Sequence, residues 1–392
     1  MEATKNDQQI NWVNTIFLTV APVAAVVLTA AYVYQYGLHW MDGAIFLTMY
    51  ILTGMGITAG YHRHFSHRAY DCHWTVRLFF LLFGGAAIQN HALHWCRDHR
   101  IHHHKVDQNE DPYAITKGFF WAHIGWVFYE SGRDDDYTVS PDLARDPLLQ
   151  FQKKYYLPIV LLVGFALPAA VGALVGRPFG GFLFGGLLRV VIVQHLTFCI
   201  NSVAHYVGKR PYSIDNTARD SWWLAYFTYG EGYHNYHHRF AADYRNGIRW
   251  YHFDPTKWFI QGLAKVGLAW RLTEYREEHI LKARIETQMK LAQAKMAGAP
   301  PELADRLQAR LDAARHQLEA AHLQWTEAKE RYAELKRQAS GRLANARRDF
   351  EAARSDWKLR TRQYGFQFQA AQARWALLIA AVSRVPGTHP LA

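Results

Sequence analysis

Between Arg97 and Asp107 the chain reads RDHRIHHHKVD, with His99, His102, His103 and His104 inside six positions. Imidazoles crowd like this for a metal rather than for packing, and the ligand type suits iron, zinc or copper. A second cluster, GEGYHNYHH, holds His234, His237 and His238. Positions i, i+3 and i+4 share one helical face. His99/His102/His103 and His234/His237/His238 therefore each offer three imidazoles along a stripe. Two smaller clusters add candidates: His62, His64 and His67 in GYHRHFSH, and Asn201 and His205 in NSVAH. His62 and His67 stand five apart, roughly 140° around a helix of 3.6 residues per turn. They converge only if the helix frays between them or the metal sits at its end. Two triplets, this pair and His205 make nine candidate ligands, too many for one metal, so the count points to two. His91, His94, His123, His195 and His252 read as satisfied polar residues. His104 stands five after His99, so spacing alone does not reject it. The second triplet does: GEGYHNYHHRF repeats the HxxHH spacing and puts Arg239 where His104 would fall.

Four apolar runs must position these clusters: about Trp12 to Tyr34, Gly43 to Gly60, Tyr155 to Gly176, and Phe179 to Val203. Each is long enough to cross a bilayer, and lipid offers the backbone no partners, so each is a helix. The first is too long for a signal-peptide core and lacks a basic leader. Short links at Tyr36–Asp42 and Gly176–Phe179 make two hairpins. Residues 61–154 and everything after Asn201 then share one side, with every histidine cluster and nearly all the Lys and Arg. The positive-inside tendency makes that side cytoplasmic, with both termini there. Val76–Ala87, Phe119–Phe128 and Trp258–Trp270 are shorter and belong to the interface or the cap. Arg189, inside the fourth run, is costly in lipid and should face a cavity or snorkel.

Half of the 392 residues are hydrophobic, yet the mean hydropathy is −0.20. A greasy part and a very polar part are averaging out. The 14 tryptophans suit a membrane interface. A net charge of +11 fits nucleic acid or an anionic membrane face, and the apolar runs favour the membrane. Cys72, Cys96 and Cys199 are too scattered for a cysteine metal site or a disulfide framework; a reducing setting fits. From about Arg276 to Ser383 the chain is rich in Ala, Gln, Arg, Glu and Leu, with a break at Gly298–Pro301. Leu311, Ala314, Leu318, Ala321, Trp325, Ala328, Tyr332 and Leu335 then follow a heptad pattern. The beat slips at Ser340–Gly341 and resumes through Leu343, Ala346, Phe350, Ala353 and Trp357. This predicts a helical hairpin or coiled coil with a weak, Ala-rich seam, open to self-association; the alternative is a solvated helical spacer. The expected whole is an all-α integral membrane protein. Residues 1–275 form four spans and a cytoplasmic helical cap, and 276–392 a helical extension.

The order HRHFSH, HRIHH, NSVAH, GEGYHNYHH, threaded among four spans, resembles the membrane fatty acyl desaturase family, the stearoyl-CoA-type Δ9 desaturases. The likeness runs from about Trp12 to Leu272. Related membrane hydroxylases share the multiple histidines but not the Asn-x-x-x-His or GEGxHNxHH wording. The resemblance implies a di-iron site under the cap and an acyl tunnel descending between the spans. His62, His67, His99, His103 and His237 would hold one iron. His102, His205, His234 and His238 would hold the other, with Asn201 nearby through a water. Adjacent histidines diverge, so each triplet can serve two metals. The implied reaction uses O2 and external electrons to place a cis double bond, at Δ9, in a saturated acyl chain. Taking hydrogen from neighbouring unactivated methylenes demands a redox metal. Asp98, Glu110, Asp111 and Glu231 are candidates to orient the imidazoles.

No four-cysteine iron site is visible, so a ferredoxin, rubredoxin or cytochrome is the implied electron donor, and an acidic one would suit the basic face. Asn90, Arg97 and Asp98 match family positions that touch the substrate's head group. The sequence departs where a basic pair is expected after Gly125-Trp126, since Tyr129-Glu130-Ser131 stands there, and where Phe198 replaces a tryptophan. Coenzyme A, acyl carrier protein and glycerolipid all remain open as the acyl carrier. The expected setting is a bacterial inner membrane. The rival readings are a di-iron hydroxylase or ketolase, and a non-enzymatic scaffold whose tail recruits partners.

Overall fold

The structure, a computed structural model, describes residues 9–132, 136–341 and 344–384. Four helices are long and apolar enough to cross a membrane: α1 (Trp12–Tyr36), α2 (Trp40–Ser66), α5 (Tyr156–Ala173) and α6 (Pro178–Tyr206). Between the two pairs come α3 (Trp74–Ala86) and α4 (Ala92–Lys105), and α7 (His234–Arg239) follows α6. In their most apolar stretches α1 and α5 bury only 22% and 28% of residues, against 56% and 50% for α2 and α6. The first two therefore meet lipid, and the second two carry the interior. Gly37 closes α1 at φ +68°, where a Cβ would be strained. The His39 ring accepts from α2's first turn while Asp42 returns the bond to the His39 N–H, a capping box. Asp42, 1% exposed, also takes Arg177 Nη2 at 2.8 Å. The two hairpin links are thereby tied together at the ends of the spans away from the nine candidate ligands.

Helix α2 changes character as it leaves the apolar stretch. Over Gly56–Ser66 it is a π-helix, with hydrogen bonds reaching one residue further than in an α-helix. Similar π segments interrupt α5 at Val160–Ala166 and α6 at Phe182–Leu188. Helix α3 is too short to span and packs on α2. A Cβ on Gly56 would meet Gly84 N at 2.4 Å, so only glycine permits this approach. Phe80 and Leu81 are fully buried in the resulting core with Tyr61, Leu93 and Leu149. Arg189 neither snorkels nor faces open space. It is fully buried, and its guanidinium donates to Gly185 O, Ala86 O and Gly164 O at 2.9, 2.6 and 2.9 Å. The cost of an intramembrane cation is met by three carbonyls, which join α3's C-terminus to α5 and α6.

The segments expected at the interface are helical pieces of the cap: Phe119–His123, Gly125–Phe128 and Pro255–Lys265. A two-stranded antiparallel ladder, β1 (Asp71–Cys72) with β2 (Ala269–Trp270), ties the end of the cap to the turn after α2. Exposed Trp222, Tyr226, Trp250 and Trp258 suit a membrane interface.

A second compact unit begins at Tyr275. It contains α8 (Glu277–Met296), α9 (Pro301–Gly341) and α10 (Ala344–Val382). The break at Gly298–Pro301 is the turn between α8 and α9. Leu311 and Leu318 are buried with Ile285, Met289, Phe368, Trp375 and Val382. Trp325 stacks on Phe368 at 5.2 Å, so α9 and α10 run antiparallel. The heptad seam thus packs within the chain, against α8 and α10. The slip at Ser340–Gly341, with Leu343, Ala346 and Phe350, lies outside the residues whose side chains are described.

Candidate metal centre

Four elements deliver the histidines. The π-helical end of α2 supplies His62 and, at its C-cap, His67; α4 supplies His99, His102 and His103, α6 supplies His205, and α7 supplies His234, His237 and His238. The π-helix answers the spacing problem of the first pair. His67 N–H donates to His62 O at 3.2 Å, an i+5 bond, and the two rings come to 4.8 Å between centroids. No fraying is needed.

Nitrogens of His62, His67, His99, His103 and His237 lie within 4.8 Å of one another, and so do those of His102, His205, His234 and His238. Within each group the Nε2 atoms face inward. The separations are 2.8 Å for His67–His99, 2.9 Å for His62–His237 and His237–His103, and 3.1 Å for His234 with His205 and His238. Packing offers no reason to turn lone pairs on one another in a buried space; a cation at each centre does. Burial first, and mutual repulsion second, hold His67, His99, His103, His234, His237 and His238 well below the ordinary imidazole pKa. Neutral imidazole is the form that binds metal. The all-imidazole donor set fits two borderline divalent ions such as iron, zinc or copper.

The outward nitrogens are held by a second layer. His62 Nδ1 lies 3.0 Å from Glu231 Oε2. Burial alone would raise the Glu231 carboxyl, but His62 and Arg63 more than offset it and hold it at about 2. Arg63 also reaches Asp254 at 3.1 Å. His102 Nδ1 lies 2.9 Å from Asp111 Oδ1, and His99 Nδ1 3.3 Å from the Tyr113 hydroxyl. His205 Nδ1 meets Thr217 Oγ1 at 2.8 Å, and that hydroxyl donates to Asp107 Oδ1 at 2.7 Å. Such partners fix tautomer and ring orientation. Of the four carboxylates singled out in the sequence, Asp111 and Glu231 reach candidate ligands. Asp98 instead lies 3.4 Å from His94, and Glu110 is exposed 3.9 Å from Lys105. Asp107 and Thr217 escaped notice because they sit 110 residues apart and carry no motif.

A cavity of about 790 Å³ opens beside the histidines. His62, His99, His102 and His234 form part of its wall, and Leu157, Val160, Phe165, Val193 and Leu196 another. Val193 stands 13 residues before the end of α6, roughly 20 Å along it at 1.5 Å per residue. Between the two regions Trp95 Nε1 donates to Gln89 Oε1 at 3.3 Å and Gln89 Nε2 to Thr197 Oγ1 at 2.9 Å. Asn90, Asp98 and Asn201 line the cavity, as do Glu130 and Ser131. Arg97 does not: it is 1% exposed, donates from Nε to Asp98 Oδ1 at 2.9 Å and lies over Tyr137. His64 turns away to Tyr70 O, and His104 is exposed. His123 and His195 pair with each other at 3.2 Å, and His123 also meets Ser202. His91 caps α4, and the His252 ring accepts from Arg249 N–H.

Four spans, a helical cap and two buried nests of imidazole define an integral membrane protein of the histidine-rich metal-centre class. The comparison with known proteins narrows this. The profile described as "Fatty acid desaturase" matches residues 38–273, and the chain belongs to that family. It is 37% identical over 292 residues to "Acyl-CoA desaturase 1" of Saccharomyces cerevisiae, covering 74% of this chain and 57% of the yeast protein. It is 36% identical over 272 residues to the "sn-1 stearoyl-lipid 9-desaturase" of Anabaena variabilis, covering 68% of this chain and 95% of that one. It is 36% identical over 277 residues to "Stearoyl-CoA desaturase 5" of Bos taurus, covering 67% and 79%. The chain thus spans less than two thirds of the yeast relative's length, and most of the length of the other two.

Proposed function

We propose that the protein is an oxygen-dependent fatty acyl desaturase that places a cis double bond at Δ9 of a saturated chain. The observation that carries this reading is the cavity whose wall is apolar span on one side and candidate ligands on the other. It lets an alkyl chain lie against the metal groups with water excluded. The relatives' names supply the reaction and the Δ9 position, and they include both acyl-CoA and acyl-lipid enzymes.

His62, His67, His99, His103 and His237 would hold one iron, and His102, His205, His234 and His238 the second. Iron bound there would supply the one-electron redox chemistry and oxygen activation that unactivated methylenes require. The chain's own residues supply position. Glu231, Asp111 and the Thr217–Asp107 pair orient ligating rings, and the Trp95–Gln89–Thr197 bridge fixes the wall against which the chain lies. Asn201, one turn before His205, faces the same cavity and is suited to hold a water. Atoms balance when the two substrate hydrogens, two protons and two external electrons reduce O2 to two waters. An external one-electron carrier is therefore required. The cap is proposed to be cytoplasmic: the short links opposite carry Arg177 as their one Lys or Arg residue.

The test is lipid profiling by gas chromatography after expression in a host that makes no unsaturated acids. A new Δ9 alkene is expected in the acyl-CoA or lipid pool, absent with His103→Ala. A hydroxylated product instead of an alkene would overturn the reading.

A further inference from the structure

We infer that the outward face of α10 is a docking surface for an anionic lipid bilayer; this goes beyond the desaturase reading and does not rest on it. Helix α10 is apolar on two opposite sides. On one, Phe368, Trp375 and Val382 are buried with residues of α8 and α9. On the other stand Leu359, Phe366 and Leu377, which are 64%, 71% and 72% exposed. At about 100° per residue, Phe366, Ala370 and Leu377 fall within about 20° of Leu359, and Ala373 and Ala380 within about 60°. The buried trio lies about 140° to 180° round from them. All six residues of this outer stripe are exposed, and Gln363 alone interrupts it. From Leu359 to Ala380 it runs roughly 30 Å at 1.5 Å per residue. The outward face of a bundle helix is ordinarily polar. Helix α9 shows that pattern, with Glu327, Glu330 and Arg331 exposed.

The charges beside the stripe decide what covers it. Between Trp357 and Arg384 stand Lys358, Arg360, Arg362, Arg374 and Arg384, and no Asp or Glu. All five cations are exposed. Arg362 and Arg374 edge the stripe about 60° to either side, and Lys358 and Arg360 stand about 100° out. Arg360 also meets Asp356 at 2.9 Å, an exposed pair that contributes little. An apolar stripe with cations along both margins suits a helix lying in the plane of a bilayer surface. Leu and Phe enter below the headgroups, while the long Lys and Arg chains reach back to the phosphates. Each cation adds to the affinity for an anionic surface. A second copy is a poorer occupant. Stripe laid on stripe would crowd the cations of both copies together. Asp356, itself held by Arg360, is α10's one carboxylate after Glu351 to answer them, and like charges brought face to face oppose association.

The test uses the full-length protein with Phe366 replaced by the photocrosslinker p-benzoylphenylalanine. It is reconstituted in vesicles of phosphatidylcholine alone, or of phosphatidylcholine and phosphatidylglycerol in equal parts. After irradiation, mass spectrometry identifies what the residue has captured. A phospholipid adduct is expected in the mixed vesicles, about tenfold above that in phosphatidylcholine alone. Combining Lys358→Gln, Arg362→Gln and Arg374→Gln should bring the mixed-vesicle yield down by about the same factor. Added salt should lower it in the chain that keeps its cations, a reading that does not depend on the triple variant. The same photocrosslinker in place of Leu323, 52% exposed on α9, measures incidental contact and should capture little lipid. Capture of a second copy or of another segment of the chain in place of lipid would overturn the docking surface. So would equal lipid capture at Leu323, or a yield indifferent to phosphatidylglycerol, to salt and to the triple variant.

Discussion

Glu231 Oε2 lies 3.0 Å from His62 Nδ1, while Oε1 accepts from Arg63 Nη2 at 2.8 Å. One buried carboxylate thus grips two consecutive residues of the π-helical end of α2. It comes from GEGYHNYHH, whose His237 shares its group with His62, so it braces the joint between two ligand-bearing elements. The Glu231→Gln variant keeps the shape and removes the charge, leaving Asp254 as the one carboxylate beside buried Arg63 among the described residues, with Tyr244 O accepting as before. Losing one partner of a buried pair costs about 3–5 kcal/mol, and losing a ligand's outer partner costs about 10–100-fold in metal affinity. Thermal unfolding and iron per chain after dialysis against a chelator should both fall. Glu110→Gln, at an exposed pair, should leave both unchanged.

Among the described residues, Thr217 links His205 to a carboxylate, that of Asp107. Thr217→Val removes the hydroxyl and keeps the volume. It frees the His205 ring and leaves Asp107 with the Thr217 N–H at 2.7 Å. The expected outcome is loss of about one iron per chain, since among the described residues the pair's hydrogen bonds reach His205 of the four-histidine group. Metal analysis alongside Mössbauer spectra would separate loss of one site from loss of both. Equal loss from both sites would show that the two groups bind only as a unit.

The histidines, the spans and the tail were legible because each has a period: three and four in the triplets, long apolar runs in the spans, seven in the tail. The partition into two groups depended on resemblance, since spacing alone could not say which ring of a triplet turns which way. The π-helix was invisible. His62 and His67 looked mismatched because the sequence was read at 3.6 residues per turn, and no residue in GITAGYHRHFS announces the change of pitch. Arg97 was carried to the substrate by its position in a motif, whereas it is buried against Tyr137 and Asp98. Long-range polar partners such as Asp107, Thr217 and Ala86 O left no local trace.

Arg189 is an intramembrane cation whose hydrogen-bond partners among the described residues are all backbone carbonyls. Its removal should therefore be felt as lost helix joining rather than as lost chemistry. Arg189→Met fills the space but strands three buried acceptors, each worth about 1–3 kcal/mol when left unpaired. A fall in thermal stability is expected, with Arg189→Lys recovering part of it. Iron content per folded chain should hold. Loss of iron at unchanged stability would contradict the joining role.

Gly54 sets the floor of the cavity through Tyr229. Both line it, and a Cβ on Gly54 would fall 2.1 Å from the Tyr229 ring. That ring cannot simply swing clear, because its hydroxyl donates to Tyr50 O at 2.8 Å and it packs on the Tyr50 ring at 4.9 Å. In Gly54→Ala the ring must move into the cavity or give up its hydrogen bond, and either shortens the space beyond the histidines. Overpacking of this kind typically costs about 1–3 kcal/mol, so the variant should still fold. Product analysis with equimolar 14-, 16- and 18-carbon saturated chains should shift toward the shorter ones. The position of the double bond counted from the carboxyl end should stay, because the histidine wall and the Trp95–Gln89–Thr197 bridge are untouched. Thr197→Val should do the reverse, spreading the double-bond position with little change in preferred length. If Gly54→Ala moved the double bond instead, the cavity would be occupied from the other direction.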